Sequence, residues 1–201
     1  MAPRPRAEMI AETRAKLLAA GRKAFGTVGY AEASMDDFTA EAGLTRGALY
    51  HHFGDKKGLL AAVIAEIDAE MCVRLDAINA RAANAWDAFL AECVAYLEMA
   101  LEPEIQRIVH RDGPAVLGDP SGWPNQNNCI ASTKASLDRL MAEGYVAPAD
   151  SEALARMVNA ASLQAAAWIA NSEDPEATSE RAIPAFRMLL EGLRSGRCGE
   201  A

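Results

Sequence analysis

Residues 44–60 read LTRGALYHHFGDKKGLL, and within them Thr45, Arg46, Tyr50, His51 and His52 can all donate hydrogen bonds. Donors of this kind, gathered on about two turns of one helix, suit phosphate oxygens and the acceptor edges of bases in a DNA groove. Gly47 leaves room for the backbone to approach a phosphate or base edge closely. Lys56 adds a cation at the start of the next helix. The adjacent histidines do not suit a metal ion, because neighbours on a helix point about 100° apart and the third histidine, His110, lies far along the chain.

A reading face of this kind needs a frame that holds one short helix outward. Ile10, Leu17, Leu18, Phe25 and Val28 follow helical spacing, and Gly26 and Gly29 then break the pattern, which predicts a first amphipathic helix. Ser34 stands at an N-cap before Asp36 and Asp37, whose charges suit the positive end of a second helix over about 35–42. Gly43 stops that helix, Leu44 turns inward, and Thr45 caps a third that runs to about His52. Helix, glycine-containing turn, helix is the spacing of a helix-turn-helix, whose second helix enters the major groove. Ala48 and Leu49 supply the side that packs on Phe38 and on the first helix, and Phe53 closes the underside. Asp55 caps a long fourth helix in which Leu60, Val63, Ile64, Ile67, Met71, Leu75 and Ile78 recur at helical spacing.

The rest of the chain keeps the helical period, with segments predicted at 85–101, 125–143, 149–171 and 178–194. Prolines and glycines are expected to cut 103–124 into short pieces. The fold class is therefore all-α, with a DNA-binding domain over 1–54 joined by the fourth helix to a helical domain over 55–201.

The hydrophobic content of 51% is ample for a core. No apolar run approaches the roughly 18 residues of a membrane span, and the first residues lack the apolar stretch of a secretory signal, so a soluble cytoplasmic protein without a membrane partner is expected. The formal charge of -8 conceals an asymmetry: residues 1–60 carry 9 Lys and Arg against 7 Asp and Glu, and the remainder carries 11 against 21. A phosphate-binding surface needs local cations, not a basic whole, and a mildly basic head on an acidic body meets that need. Cys72, Cys93, Cys129 and Cys198 form no C-x-x-C pair, so buried thiols are expected rather than a zinc or dithiol site. There is no G-x-S-x-G, P-loop, dinucleotide fingerprint or H-E-x-x-H, which argues against an enzyme and against any cofactor.

Phe25-Gly-Thr-Val-Gly-Tyr30, Ser34-Met35, Ala40 through Phe53, Lys56 and Leu59-Leu60 together resemble, without a gap, the N-terminal signature of the TetR family of transcriptional repressors. Phe38, bulkier than the common aliphatic, and Gly58, in place of a better helix former, depart mildly from that pattern. The resemblance implies that Thr45 and Arg46 open the recognition helix, that Tyr50 and Lys56 contact phosphates and that His51 meets base or backbone. With Ser34, Gly47 and His52 these residues make up the expected DNA-contacting set.

One such helix reaches few phosphates, so the protein is expected to act as a homodimer on a palindromic operator in double-stranded DNA. The family's architecture implies a four-helix bundle between subunits, built from the last two helices. Leu154, Val158, Ala161, Ala165 and Ile169 on one, with Phe186, Leu189 and Leu190 on the other, are the expected contacts. Between head and bundle, Met71, Leu75, Phe89, Cys93, Tyr96, Ile108, Val109, Asp112, Trp123, Asn127 and Asn128 are expected to line a pocket for a small, largely apolar or aromatic effector. A repressor released by that ligand is the primary reading. The alternatives are a DNA-binding regulator controlled by thiol oxidation or a protein partner and, more remotely, a small helical enzyme.

Overall fold

The computed structural model describes residues 5–195, so Cys198 lies outside the described residues. No strand occurs among the described residues; an isolated antiparallel bridge joins Val146 and Arg194. Helix α1 (Arg6–Val28) buries Leu17, Leu18 and Phe25. Helix α2 (Met35–Glu41) begins where the Ser34 hydroxyl accepts from the Asp37 amide, and α3 (Arg46–Phe53) where Thr45 accepts from that of Ala48. Between them Gly43 takes a φ of 67°, a left-handed turn that a side chain would strain.

Asp55 opens α4 (Lys56–Asn79) by accepting from the Gly58 amide at 2.6 Å. That close turn explains why a glycine stands where a better helix former is usual: a Cβ at Gly58 would lie 1.9 Å from the Phe53 carbonyl oxygen. Helix α5 (Ala85–Met99) then returns along α4.

The proline-rich stretch is cut into short pieces, as its prolines and glycines predict, and the pieces are helical. Short α6 (Pro103–Ile105) runs directly into a π-helical segment, Gln106–Asp112, and then into α7 (Gly113–Leu117). The widened register has a local cause. Gly113 donates to Ile108, five residues back, and Pro114 has no N–H to return to the carbonyl four residues before it, that of His110. Asn171 donates to that freed carbonyl instead, at 3.1 Å. After a 3-10 turn at Pro120–Gly122 come α8 (Gln126–Ala142), α9 (Ser151–Asn171) and α10 (Pro175–Glu191). Helix α10 starts earlier than its apolar pattern suggests, because Asp174 caps it and Pro175 suits a first helical position.

Two apolar clusters hold the molecule together. The first joins Phe25, Phe38 and Leu49 to α4, and it extends to Ile105 of α6 and to Ile108 and Val109 of the π-helical stretch. The second packs α5 against α8, α9 and α10 around Trp86, Phe89, Leu97 and Phe186. The space between the clusters is the cavity described next.

Candidate nucleic-acid interface and effector cavity

On α3 the buried side chain is Leu49, fully enclosed, while Tyr50 on the next position is 50% exposed. Thr45, Arg46, Gly47 and His51 are exposed with it, as is Ser34 at the start of α2. Arg46 Nε lies 3.2 Å from Asp36 Oδ1, a pair exposed on both sides that holds the guanidinium over the turn without burying it. His52 is half-buried and stacks edgewise between His51 and Phe53, which sets it behind the others. Lys56 is also drawn in: its ammonium sits 4.5 Å from the centre of the Tyr30 ring and 3.4 Å from the Ala31 carbonyl, and burial lowers its pKa. Lys57, which the sequence reading passed over, is the exposed cation at this corner.

The cavity has a volume of about 520 Å³, within the usual range for small-molecule sites. Met71 and Leu75 of α4, Cys93 and Tyr96 of α5, and Trp123 lie on its wall. Four other expected residues do not. Phe89 is buried beside Trp86 in the second cluster, with ring centres 6.1 Å apart. Ile108 faces the first cluster and α1, whereas the next residue, Val109, faces the cavity. Asn127 is exposed on α8, and its neighbours Gln126 and Asn128 reach the wall instead. A single residue step along the helix separates the members of each of these pairs.

Asp112, the fourth, binds the head. Its Oδ2 accepts from the Tyr30 amide at 2.7 Å, and Arg107 donates to the Thr27 carbonyl at 2.7 Å. Arg22 adds paired bonds to Glu104 and Glu70, which raise its pKa. On the other side of the same segment, Arg111 donates to the Ala170 carbonyl at the end of α9 at 2.6 and 2.9 Å. The π-helical stretch thus touches the head, the cavity and α9 within seven residues.

Sequence reasoning missed the acidic part of the wall. Asp68 and Asp76 of α4 and Glu92 of α5 line it. Burial pushes Asp68 up to about 6 against a lowering bond from Asn125, and burial likewise raises Glu92. His110 is buried on the cavity side, and burial brings it down to about 4, so its ring is neutral at physiological pH. The available signal was Asp68, Cys72 and Asp76 at four-residue spacing beside Met71 and Leu75, a pattern that a solvated face also produces. Cys93 and Cys129, raised by burial to about 12 and 11, are thiols and not thiolates.

Of the residues expected at a subunit interface, Val158, Ile169, Phe186 and Leu190 are buried inside the protomer. They belong to its own core because α9 and α10 turn that face onto α5 and α8. Leu154, Ala161 and Ala165 are half-buried, and Leu189 is exposed. The large apolar side chains left outside on these helices are Met157, Trp168, Met188 and Leu189. Among the described residues no helix is long and apolar enough to cross a membrane.

Comparison with known proteins agrees with this geometry. Residues 17–63 match the family described as bacterial regulatory proteins, tetR family, and residues 86–193 match the tetracyclin repressor-like C-terminal domain. A solved TetR-family transcriptional regulator from Pectobacterium atrosepticum is 54% identical, covers 96% of this chain and 99% of its own, and superposes with a TM-score of 0.88. The transposon Tn10 TetC protein of Escherichia coli is 25% identical over 93% of this chain and 95% of its own. The transcriptional regulator TtgR of Pseudomonas putida is 42% identical over 53 residues, 26% of this chain and 25% of its own. The chain belongs to the TetR family and is a DNA-binding transcriptional regulator, not an enzyme.

Proposed function

We propose that this regulator is a cytoplasmic homodimeric repressor that leaves a palindromic operator when a small molecule fills the cavity. Residues 1–54 form the reading head in this scheme, and 55–201 the sensing and pairing body. The observation that carries the reading is the short path from cavity to DNA face. His110 lines the cavity, Asp112 two positions on holds the Tyr30 amide, and the Tyr30 ring carries the Lys56 ammonium. A ligand that shifts the π-helical stretch therefore acts on the root of the DNA-binding head, and α4 transmits the same displacement from Met71 and Leu75. Two heads bound to half-sites of fixed spacing lose affinity when their separation changes, and a ligand favouring the altered form shifts the population toward it.

Thr45, Arg46, Gly47, Tyr50 and His51 are the proposed groove-facing set, with Ser34, Lys56 and Lys57 toward the phosphates and His52 as support behind them. Pairing is assigned to the outward face of α9 and α10. Met157, Trp168, Met188 and Leu189 leave on it a patch of large apolar side chains that a second copy would cover. The thiol-controlled alternative is less favoured, since burial holds Cys93 and Cys129 protonated and so poorly reactive, and Cys72, which is exposed and not buried as expected, is raised as well, by partial desolvation and by the neighbouring Asp68.

The test is selection of bound fragments from a random DNA pool, followed by titration of compounds against the selected site. Two-fold related half-sites, and at least one compound that both raises the melting temperature and releases DNA, are expected. A single half-site, or tight cavity ligands that never alter DNA affinity, would sink this scheme.

A further inference from the structure

The charged groups on the cavity wall are all of one sign. Asp68 and Asp76 recur along one face of α4 with Cys72 between them, and Glu92 approaches from α5; no Lys or Arg is among the described residues that line the space. Both inner carboxylates are oriented by neutral amides, Asp68 Oδ2 accepting from Asn125 Nδ2 at 2.6 Å and Glu92 Oε2 from Asn79 Nδ2 at 2.9 Å. An amide positions an anion but leaves its charge in place. Carboxylates partly withdrawn from water without a cation are costly to the empty protein, and burial raises the pKa of both.

A second observation is independent of the acids. His110 is only 6% exposed, it lines the same cavity, and its Nε2 has no hydrogen-bond partner. Buried polar atoms are nearly always paired, and this unpaired nitrogen belongs to a residue of the cavity wall. Its ring meets that of Tyr96 edge-on, with centres 6.5 Å apart. Tyr96 and Trp123 offer aromatic surface, and Met71 and Leu75 apolar surface, to the body of a ligand.

Resting on the effector reading of the cavity, we infer that the molecule it takes is an amphipathic organic cation, whose protonated nitrogen pairs with Asp68 and Glu92 while its aromatic or apolar body lies against Tyr96, Trp123 and Met71. The same wall repels carboxylates and phosphates. Carbonyl-rich neutral molecules find acceptors facing acceptors along α4, and they bind less well than a donor of equal size.

Calorimetry with naphthylbutylamine, naphthylbutanol and naphthylbutanoate tests this, since the three share one body and differ in charge. The amine is expected to bind wild-type protein about tenfold tighter than the alcohol, the gain of one charge-assisted hydrogen bond, with the carboxylate weakest. Asp68→Asn erases that advantage and Glu92→Gln diminishes it. Asp68→Asn is expected to melt at or above the wild-type temperature at pH 7.5, which shows the variant to be folded. Equal affinities, an advantage that survives both substitutions, or no binding by any of the three overturns the inference. Operator titrations separate it from the reading beneath it. If the carboxylate binds and releases DNA, the cation assignment falls and the effector reading stands. If the amine binds through Asp68 and DNA affinity is unmoved, the effector reading falls and the cation site stands.

Discussion

The reading head and the cavity are built in opposite ways. The head draws its DNA face from one continuous stretch, in which Thr45 caps, Leu49 anchors and Tyr50 projects within two turns of α3. The cavity draws its wall from α4, α5, the π-helical stretch, α8 and α9, so that Asp68 meets Asn125 across 57 positions of sequence. A motif in sequence is a local object. It survives in the head because the caps and the anchor of α3 are set by near neighbours, and it dissolves in the body because the walls come from segments spread over about a hundred residues.

The sharpest way to break that contrast is to damage the head and ask whether the body notices. Leu49 is fully enclosed, and Leu49→Ala should cost about 2–5 kcal/mol in urea denaturation. The first apolar cluster runs from Leu49 through α4 to Ile108 and Val109, so cavity-ligand affinity should fall with DNA affinity. Unfolding in two separate transitions, with ligand binding intact, would show the head to be more independent than its packing suggests.

A finer cut removes only the link. Asp112→Ala deletes the acceptor of the Tyr30 amide, a bond to a charged group worth about 1.5–3 kcal/mol. The cavity keeps its wall, since Asp112 does not line it. Ligand affinity should therefore persist while the ligand's effect on operator affinity shrinks, measured by fluorescence anisotropy with and without ligand. An undiminished effect would place the coupling in α4 alone.

Acid distinguishes two buried groups of opposite sign. Asp68 has its folded pKa raised to about 6 from 3.8, so folding is disfavoured by its charge above about pH 6, and that penalty fades as the pH falls toward 4. His110 is lowered from 6.5 to about 4, so its contribution is present above pH 6.5 and is lost as the pH falls toward 4. The groups facing Asp68 that also ionise are Cys72 and Asp76 from α4, Glu92 and Tyr96 from α5, His110, and Cys129 from α8. Comparing Asp68→Asn with wild type isolates the first effect. The variant should be more stable by about 1–3 kcal/mol at pH 7.5, with the difference vanishing near pH 4 in thermal melts. A difference constant with pH would show that Asp68 carries no buried charge.

How much of this was legible follows from the same contrast. The helix-turn-helix, its caps at Ser34, Thr45 and Asp55, and the long α4 could be read from spacing and turn chemistry, because those are local. The short pieces of 103–124 could also be read from its glycines and prolines, but their π-helical register could not, since the carbonyl that Pro114 frees is taken by Asn171 from a helix far away in sequence. Ile108 and Val109, or Asn127 and Asn128, differ by one helical step, and periodicity gives the step but not the phase when both faces of a segment are packed. Val158 and Phe186 are expected at a partner surface but lie buried in the protomer, because an apolar helix face carries the same pattern in either setting. Met157 and Met188, by contrast, declare themselves only by being left outside.

The smallest expected effect bears on the head alone. Lys56 is half-buried against Tyr30 and the Ala31 carbonyl, and Lys57 is exposed beside it. If Lys56 touches phosphate, Lys56→Ala removes one neutralised charge, and the slope of log affinity against log salt should fall by about 1 without a change in preferred sequence. Arg46 sits at the opening of the recognition helix, so Arg46→Ala should relax preference at one base position while leaving most of the slope in place. The Tyr30 ring makes the Lys56 result diagnostic. A lysine committed to cation–π contact would leave the slope unchanged on removal, and the matching loss would then appear in Lys57→Ala, moving the phosphate anchor one residue along α4.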